Sequence, residues 1–224
     1  ATYDVAPKVF KELGAEIIVL SNQPDGTNIN KNCGSTDIKL LQKEVIKNKA
    51  DFWIAFDGDG DRLIFVDENA KELNGDDILY VLARDKFENQ ITLGSKGIVG
   101  TIMTNKGLEI SLTKMGVDLI RTDVGDRHVL QKLEELNWDL GGEQSGHIIS
   151  LDSSNSGDAI IAAIKFLEAY VCSDLPLKEL LNPLVKYPQI LVNLKTDNPE
   201  KILKNKNFKK LVTETLKKLE EFDG

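Results

Sequence analysis

The chain has 224 residues, 41% apolar and 29% charged, enough for one to two domains with a real hydrophobic core. Its net charge of −8 argues against a broad nucleic-acid-binding face, which needs clustered Lys and Arg, though one local phosphate pocket remains compatible with it. The longest wholly apolar run, Ala159 to Ile164, falls far short of the ~20 residues a membrane-spanning helix requires. Cys33 and Cys172 form neither a CxxC pair nor a metal-ligand spacing, which points to a reducing cytoplasm.

In chain order, Tyr3 to Leu13 is expected to be a helix stopped by Gly14, and Glu16 to Leu20 a strand. Asn22 to Gly34 is a polar loop with a Pro24-Asp25-Gly26 turn signal. A second helix is expected from a Ser35-Thr36-Asp37 cap, with Ile38, Leu41, Val45 and Ile46 on its apolar face. Two short apolar segments follow, Phe52 to Phe56 and Leu63 to Val66, both rich in aromatic or β-branched residues and so read as strands. Helix–strand–helix–strand order is that of a mostly parallel α/β sheet, and no strand precedes the first helix, so the opening strand is expected to be missing.

Between those two strands lies Asp57-Gly58-Asp59-Gly60-Asp61-Arg62. Two unit charges about 4 Å apart repel by roughly 4 kcal/mol at a surface-like dielectric, so three converging carboxylates call for a cation. Oxygen ligands without nearby Cys or His indicate Mg²⁺ or a similar hard ion. The glycines allow backbone angles that turn the carboxylates onto one point. The bland reading is a solvated acidic turn. An EF-hand is rejected: Arg62 stands where its loop needs Gly, and the flanks are strands.

A boundary is placed near Leu73. Beyond it the expected elements are a helix from Gly75-Asp76-Asp77 to Ala83, strand Gly97–Ile102, helix Asn105–Met115, strand Asp118–Thr122, helix His128–Leu136, strands Trp138–Leu140 and Ile148–Leu151, and a long helix from Gly157-Asp158 to about Val171. A strand at Gln189–Leu194 and a Lys/Glu-rich helix at Glu200–Phe222 close the chain. Trp53, Trp138 and His128 are read as structural. In Val124-Gly125-Asp126-Arg127, the favoured reading of the motif alone is Asp126 as an N-cap; the alternative is Arg127 meeting a phosphate at the helix start. In Glu143-Gln144-Ser145-Gly146-His147, an extended backbone would aim Glu143, Ser145 and His147 one way, at a polyhydroxyl ligand; the competing reading is a polar turn. A carboxylate on a glycine-flanked loop is expected to govern binding more than stability.

These residues resemble the α-D-phosphohexomutase superfamily. The metal loop Asp57–Arg62 and the loop Gly142–His147 carry the likeness over residues 1 to about 194. Asn28-Ile29-Asn30 with Gly34–Asp37, Val124–Arg127 and Pro188–Asn193 favour its glucosamine branch over the phosphomannomutase and phosphoglucomutase branches. The resemblance implies two consecutive phosphohexomutase-type α/β domains with mixed, mostly parallel sheets, at 1–72 and 73–187, and the start of a further domain at 188–224. It implies interconversion of glucosamine 6-phosphate and glucosamine 1-phosphate through a phosphoserine and a sugar bisphosphate. Asp57, Asp59 and Asp61 would hold Mg²⁺, Arg62 would orient the phosphoryl group, and Glu143, Ser145 and His147, with Asp126 and Arg127, would bind substrate. The implied partner is a phosphorylated amino sugar, with no nucleic acid or membrane, and a homodimer of the full-length protein is compatible with it. The family's Arg-x-Ser-Gly phosphoserine context and its C-terminal phosphate loop are absent from this sequence, so this chain alone is expected to be inactive without the first and fourth domains. A stand-alone module that binds metal or sugar phosphate without catalysis is the alternative from another class.

Overall fold

The computed structural model describes residues 2–88, 97–192 and 195–220. Residues 1–187 form one compact unit and 188–224 a second.

In the first unit, α1 (Thr2–Glu12) buries Ala6 and Phe10, one turn apart. The Glu16–Leu20 segment is not a strand; it has no ladder neighbour among the described residues, and Ile18 and Val19 face solvent. A strand is stabilised by its pairing, which a short apolar, β-branched run alone does not supply. Helix α2 (Lys39–Asn48) buries Leu41 and Val45, but Ile46 is exposed, and the residue at the cap is Ile38 without a side-chain bond. Asp37 lies one residue too early and accepts only a long 3.4 Å bond from Lys39 N.

Strands β1 (Phe52–Phe56), β2 (Leu63–Asp67) and β3 (Glu72–Leu73) form an antiparallel sheet, with Phe56 opposite Leu63. The parallel expectation fails for this sheet because a short loop joins β1 to β2, and a parallel crossover needs about a dozen residues. Helix α3 (Gly75–Glu88) is longer than expected and buried nearly all round.

The second sheet has the order β5-β4-β6-β7, built from β4 (Gly97–Thr101), β5 (Asp118–Thr122), β6 (Leu140–Gly142) and β7 (Ile148–Ser150). β4 pairs in parallel with β5 and β6, and β6 pairs antiparallel with β7, a mixed and mostly parallel sheet. β6 starts at Leu140, two residues later than expected, where Gly141 can press against β4: a Cβ there would crowd the Val99 carbonyl. Between these strands run α4 (Lys106–Lys114), capped by Asn105, and α5 (Asp126–Leu136). After β7, Asp158 caps α6 (Ala159–Ser173) by accepting from Ile160 N and Ile161 N, and α7 (Leu177–Leu181) follows. An aromatic knot of Phe52, Phe65, Phe166 and Tyr170 fastens the first sheet to α6, with Phe65 and Phe166 centroids 4.4 Å apart. Trp53 is buried, and Trp138 packs partly buried on the cluster around Val99 and Val129, as the structural reading requires.

In the second unit, residues 188–192 have no regular structure; Asn193 and Leu194 lie outside the described residues. The closing helix is two: α8 (Pro199–Lys204) and α9 (Lys206–Glu220). The break is Asn205, whose side chain accepts from Asn207 N and Phe208 N and restarts the helix. Phe222 lies outside the described residues.

An ionic cluster beside β7 yields a pH prediction. Burial opposes the charge on Asp152, but hydrogen bonds from Ser150 (2.7 Å), Lys165 (3.0 Å) and Ser153 (3.0 Å) outweigh it and lower its pKa to about 2. A carboxyl lowered on folding contributes stability above its unfolded pKa, and that contribution is lost as pH falls toward the folded value. Asp152→Asn is therefore expected to cost about 1 kcal/mol at pH 7, discounted for its partial exposure, and to flatten the loss of stability between about pH 4 and pH 2. Urea unfolding at several pH values measures both.

Candidate active site: an acidic loop joined to a glycine-rich turn

The β1–β2 loop brings the three aspartates together: one carboxylate oxygen from each of Asp57, Asp59 and Asp61 lies within 4.8 Å of the others. Asp57 is buried, and its Oδ1 accepts from Gly60 N (3.1 Å) and Arg62 N (3.2 Å), which folds the loop around it. Gly60 sits at φ +79°, the left-handed conformation that glycine takes without strain. Burial first, then the Asp61 carboxylate beside it, raises the pKa of Asp57, against the lowering effect of those backbone donors. Asp61 Oδ1 is buried with no hydrogen-bond partner, while the Arg62 guanidinium stands 3.9 Å from both Asp57 and Asp61. Crowded carboxylates with an orphaned oxygen suit a hard divalent cation. The strand flanks rule the EF-hand out here as they do in the sequence.

The 143–147 segment is a tight turn between β6 and β7, not an extended run. Glu143 N donates to His147 O (2.9 Å), Gly146 N donates to Glu143 O (3.0 Å), and Gly146 has φ +93°. The side chains of Glu143, Ser145 and His147 therefore do not share one direction. Ser145 is exposed; the Glu143 and His147 side chains are buried. Period-2 alternation does not survive a glycine in the left-handed region.

His147 is turned onto the acidic loop. Its Nδ1 lies 2.9 Å from Asp61 Oδ2, and since a carboxylate only accepts, the proton sits on Nδ1. Its Nε2 is buried without a partner beneath Gly157, where a Cβ would collide with the ring. The backbones are joined as well: Arg62 and His147 form an antiparallel bridge, and Leu63 N donates to Gly146 O (3.1 Å). Ala159 N, at the start of α6, donates to Gly60 O (3.0 Å). The two loops are one constellation.

Glu143 Oε1 accepts from Gly125 N (2.9 Å), so the 124–127 loop meets the turn through its backbone. Gly125, not Asp126, occupies the α5 cap position, with no side-chain bond; Asp126 is already the first helical residue. Asp126 and Arg127 are exposed, and His128 half-buried. Because Glu143 is buried and bonded, the expectation that it is indifferent to stability is revised. Glu143→Ala is expected to cost about 1–2 kcal/mol by leaving Gly125 N without its acceptor, read as a shift in thermal or urea unfolding.

Two features went unseen in the sequence. Ile29, flagged there only as part of a resemblance, rests on the acidic loop, where a Cβ at Gly58 would strike it. Asp76, read only as part of a helix start, is fully buried and bonds Gln144 Nε2 at 3.2 Å. Its only signal was a pair of adjacent acids at a helix start, which ordinarily means dipole compensation.

Comparison with known proteins decides the family. The profile of phosphoglucomutase/phosphomannomutase alpha/beta/alpha domain III matches residues 74–187, and that of alpha/beta/alpha domain II matches residues 1–72. The chain belongs to the phosphoglucomutase/phosphomannomutase family. Among family relatives, the phosphoglucosamine mutase of Aliivibrio fischeri is 51% identical over 87% of this chain and 43% of its own length. Those of Histophilus somni and Caldicellulosiruptor bescii are each 47% identical, over 98% and 99% of this chain and 49% of their own. The chain thus spans about half the length of the curated relatives it matches. A solved phosphoglucomutase/phosphomannomutase family protein from Burkholderia thailandensis has a TM-score of 0.71 at 25% identity, over 83% of this chain and 40% of that one. N-acetylphosphoglucosamine mutase of Aspergillus fumigatus, solved with GlcNAc-6P and magnesium, has a TM-score of 0.66 at 21% identity over 87% of this chain and 46% of that one, a likeness of fold.

Proposed function

We propose that the chain forms the second (1–72) and third (73–187) domains, and the start of the fourth (188–224), of a phosphoglucosamine mutase that interconverts glucosamine 6-phosphate and glucosamine 1-phosphate. The observation that carries this reading is the junction of the acidic loop with the 143–147 turn at His147–Asp61. It sets a cation-type cluster beside a glycine-rich turn, as a reaction that moves a phosphoryl group on a sugar requires. Relatives bearing the phosphoglucosamine mutase name at 47–51% identity favour the amino sugar over glucose or mannose phosphates.

In this reading a phosphoserine of the first domain gives its phosphoryl group to the free hydroxyl of the sugar phosphate. The bisphosphate turns over and returns its other phosphoryl group to the serine. Asp57, Asp59 and Asp61 would hold Mg²⁺, which supplies charge neutralisation to the phosphoryl oxygens when bound. Arg62, exposed enough to reach a ligand, is a fork donor for an equatorial phosphoryl oxygen. Ser145 presents a hydroxyl to the sugar, while Glu143 and His147 hold the turn in place from their buried positions. Arg127 at the start of α5 is exposed to meet the substrate phosphate, with Asp126 beside it.

Unpaired Cys33 and Cys172 fit a reducing cytoplasm, and among the described residues no helix is long and apolar enough to cross a membrane. A coupled assay with Mg²⁺ and sugar bisphosphate tests the reading. The full-length enzyme is expected to turn over glucosamine 6-phosphate ahead of glucose and mannose 6-phosphates, and the 224-residue chain alone to show none, lacking the phosphoserine. Preference for another hexose phosphate overturns the substrate assignment, and steady turnover by the chain alone overturns the dependence on a missing serine.

A further inference from the structure

We propose that Asp76 is a positioning residue for the 143–147 turn, acting through the side-chain amide of Gln144; this rests on the reading of that turn as the sugar-recognition loop.

Asp76 is the second residue of α3, and its side chain is wholly inaccessible to solvent. Its Oδ2 accepts two hydrogen bonds, from Asn105 N at the α4 cap (3.0 Å) and from Gln144 Nε2 (3.2 Å). Its Oδ1 is buried without a partner. The charge of Lys186 favours the ionised carboxyl, but its ammonium pairs directly with Asp77 and with Asn74 Oδ1. Burying a carboxylate with one oxygen unbonded is costly, and burial raises the pKa of Asp76 accordingly. An amide of the same shape would accept both bonds without the charge but would place its NH2 where no acceptor stands, so the helix-start dipole is the stability reason for an aspartate here.

The carboxylate also supplies a strong acceptor aimed at the turn. Gln144 is held a second time through its backbone, since Gly75 N donates to Gln144 O (3.0 Å). The approach is so close that a Cβ at Gly75 would collide with the Glu143 carbonyl. The turn is thus pinned from three sides: at Glu143 by Gly125 N, at His147 by Asp61, and at Gln144 by the start of α3. Ser145, the exposed hydroxyl, lies between the second and third of these pins. Its position depends directly on Gln144, and a displacement of about 1 Å in a substrate-holding group is enough to lose most of its effect.

The test is a charge swap in the full-length enzyme. Gln144→Glu sets two carboxylates face to face and should raise KM for glucosamine 6-phosphate about 10-fold, roughly one hydrogen bond's worth, with a smaller change in kcat. Asp76→Asn/Gln144→Glu lets the new amide donate to the new carboxylate, at the cost of the bond from Asn105 N that the same Asp76 oxygen accepts, and should recover part of that loss. Recovery caused by a residue sealed from substrate separates positioning from direct contact. Gln144→Met removes the amide without adding charge and should also raise KM, which covers the case of a Gln144→Glu variant that does not fold. If KM stays at its wild-type value in these variants while only the melting temperature falls and recovers, Asp76 is structural and the proposal is overturned. A wild-type enzyme that turns over no hexose phosphate overturns the sugar reading as well; an active wild type with unmoved KM in the variants overturns this proposal alone.

Discussion

Asp59→Asn in the full-length enzyme is expected to cut turnover at least ~100-fold while leaving the melting temperature unchanged or slightly raised. The two halves of that result come from different features of the loop. Asp57 is buried and its oxygen organises Gly60 and Arg62, so replacing it would confuse folding with chemistry. Asp61 is tied to His147. Asp59 is the exposed member of the cluster, within 4.8 Å of the other two carboxylates. Removing its charge relieves repulsion of a few kcal/mol at most and disturbs little else. In the proposed reaction, by contrast, neutralising the moving phosphoryl group would draw on the whole carboxylate set. Steady-state kinetics beside thermal melting separate the two, and near-normal turnover would remove Asp59 from the mechanism.

Gly146→Ala is expected to destabilise the chain by about 3 kcal/mol or more, a large fraction of an ordinary domain's 5–15 kcal/mol. Gly146 sits at φ +93°, and a Cβ there would run into the Leu63 carbonyl that follows the acidic loop. Backbone strain and a collision with immobile backbone therefore coincide. Gly116 is the control: it too has positive φ, +73°, but nothing lies within 4 Å of its Cβ position. Gly116→Ala should show the strain alone, about 1 kcal/mol. Equal losses at the two sites in urea unfolding would mean that the turn and the acidic loop are not packed as described.

Much of this was readable from the chain, and most of what was not has a common cause. β1 and β2 were legible because they are short runs rich in aromatic or β-branched residues, flanked by charged residues. The acidic loop was legible because charge crowding is a local property of Asp57 to Asp61. Asp158 was readable as a cap because capping acts within three residues. The Glu16–Leu20 segment misled because pairing is non-local: nothing within it records whether a neighbouring strand exists. The 143–147 turn misled for a related reason. Its side chains are directed by Gly125, Asp61 and Asp76, which lie from 18 to 86 positions away in the chain. The antiparallel first sheet is a different case: it follows from the short Asp57–Arg62 loop, visible in the sequence but passed over when helix and strand order alone is read.

The union of the acidic loop and the 143–147 turn into one cation-centred site is tested most directly by titrating the isotope-labelled chain with Mn²⁺, a paramagnetic stand-in for Mg²⁺ with the same preference for oxygen ligands, and following its amide resonances. Even weak binding broadens signals near the ion. The first to broaden should be Gly58 to Arg62, together with Gly146, His147 and Ala159, whose backbones are bridged to the loop. Broadening confined to scattered surface acids, or to the acidic loop while Gly146 and His147 stay sharp, would contradict the account.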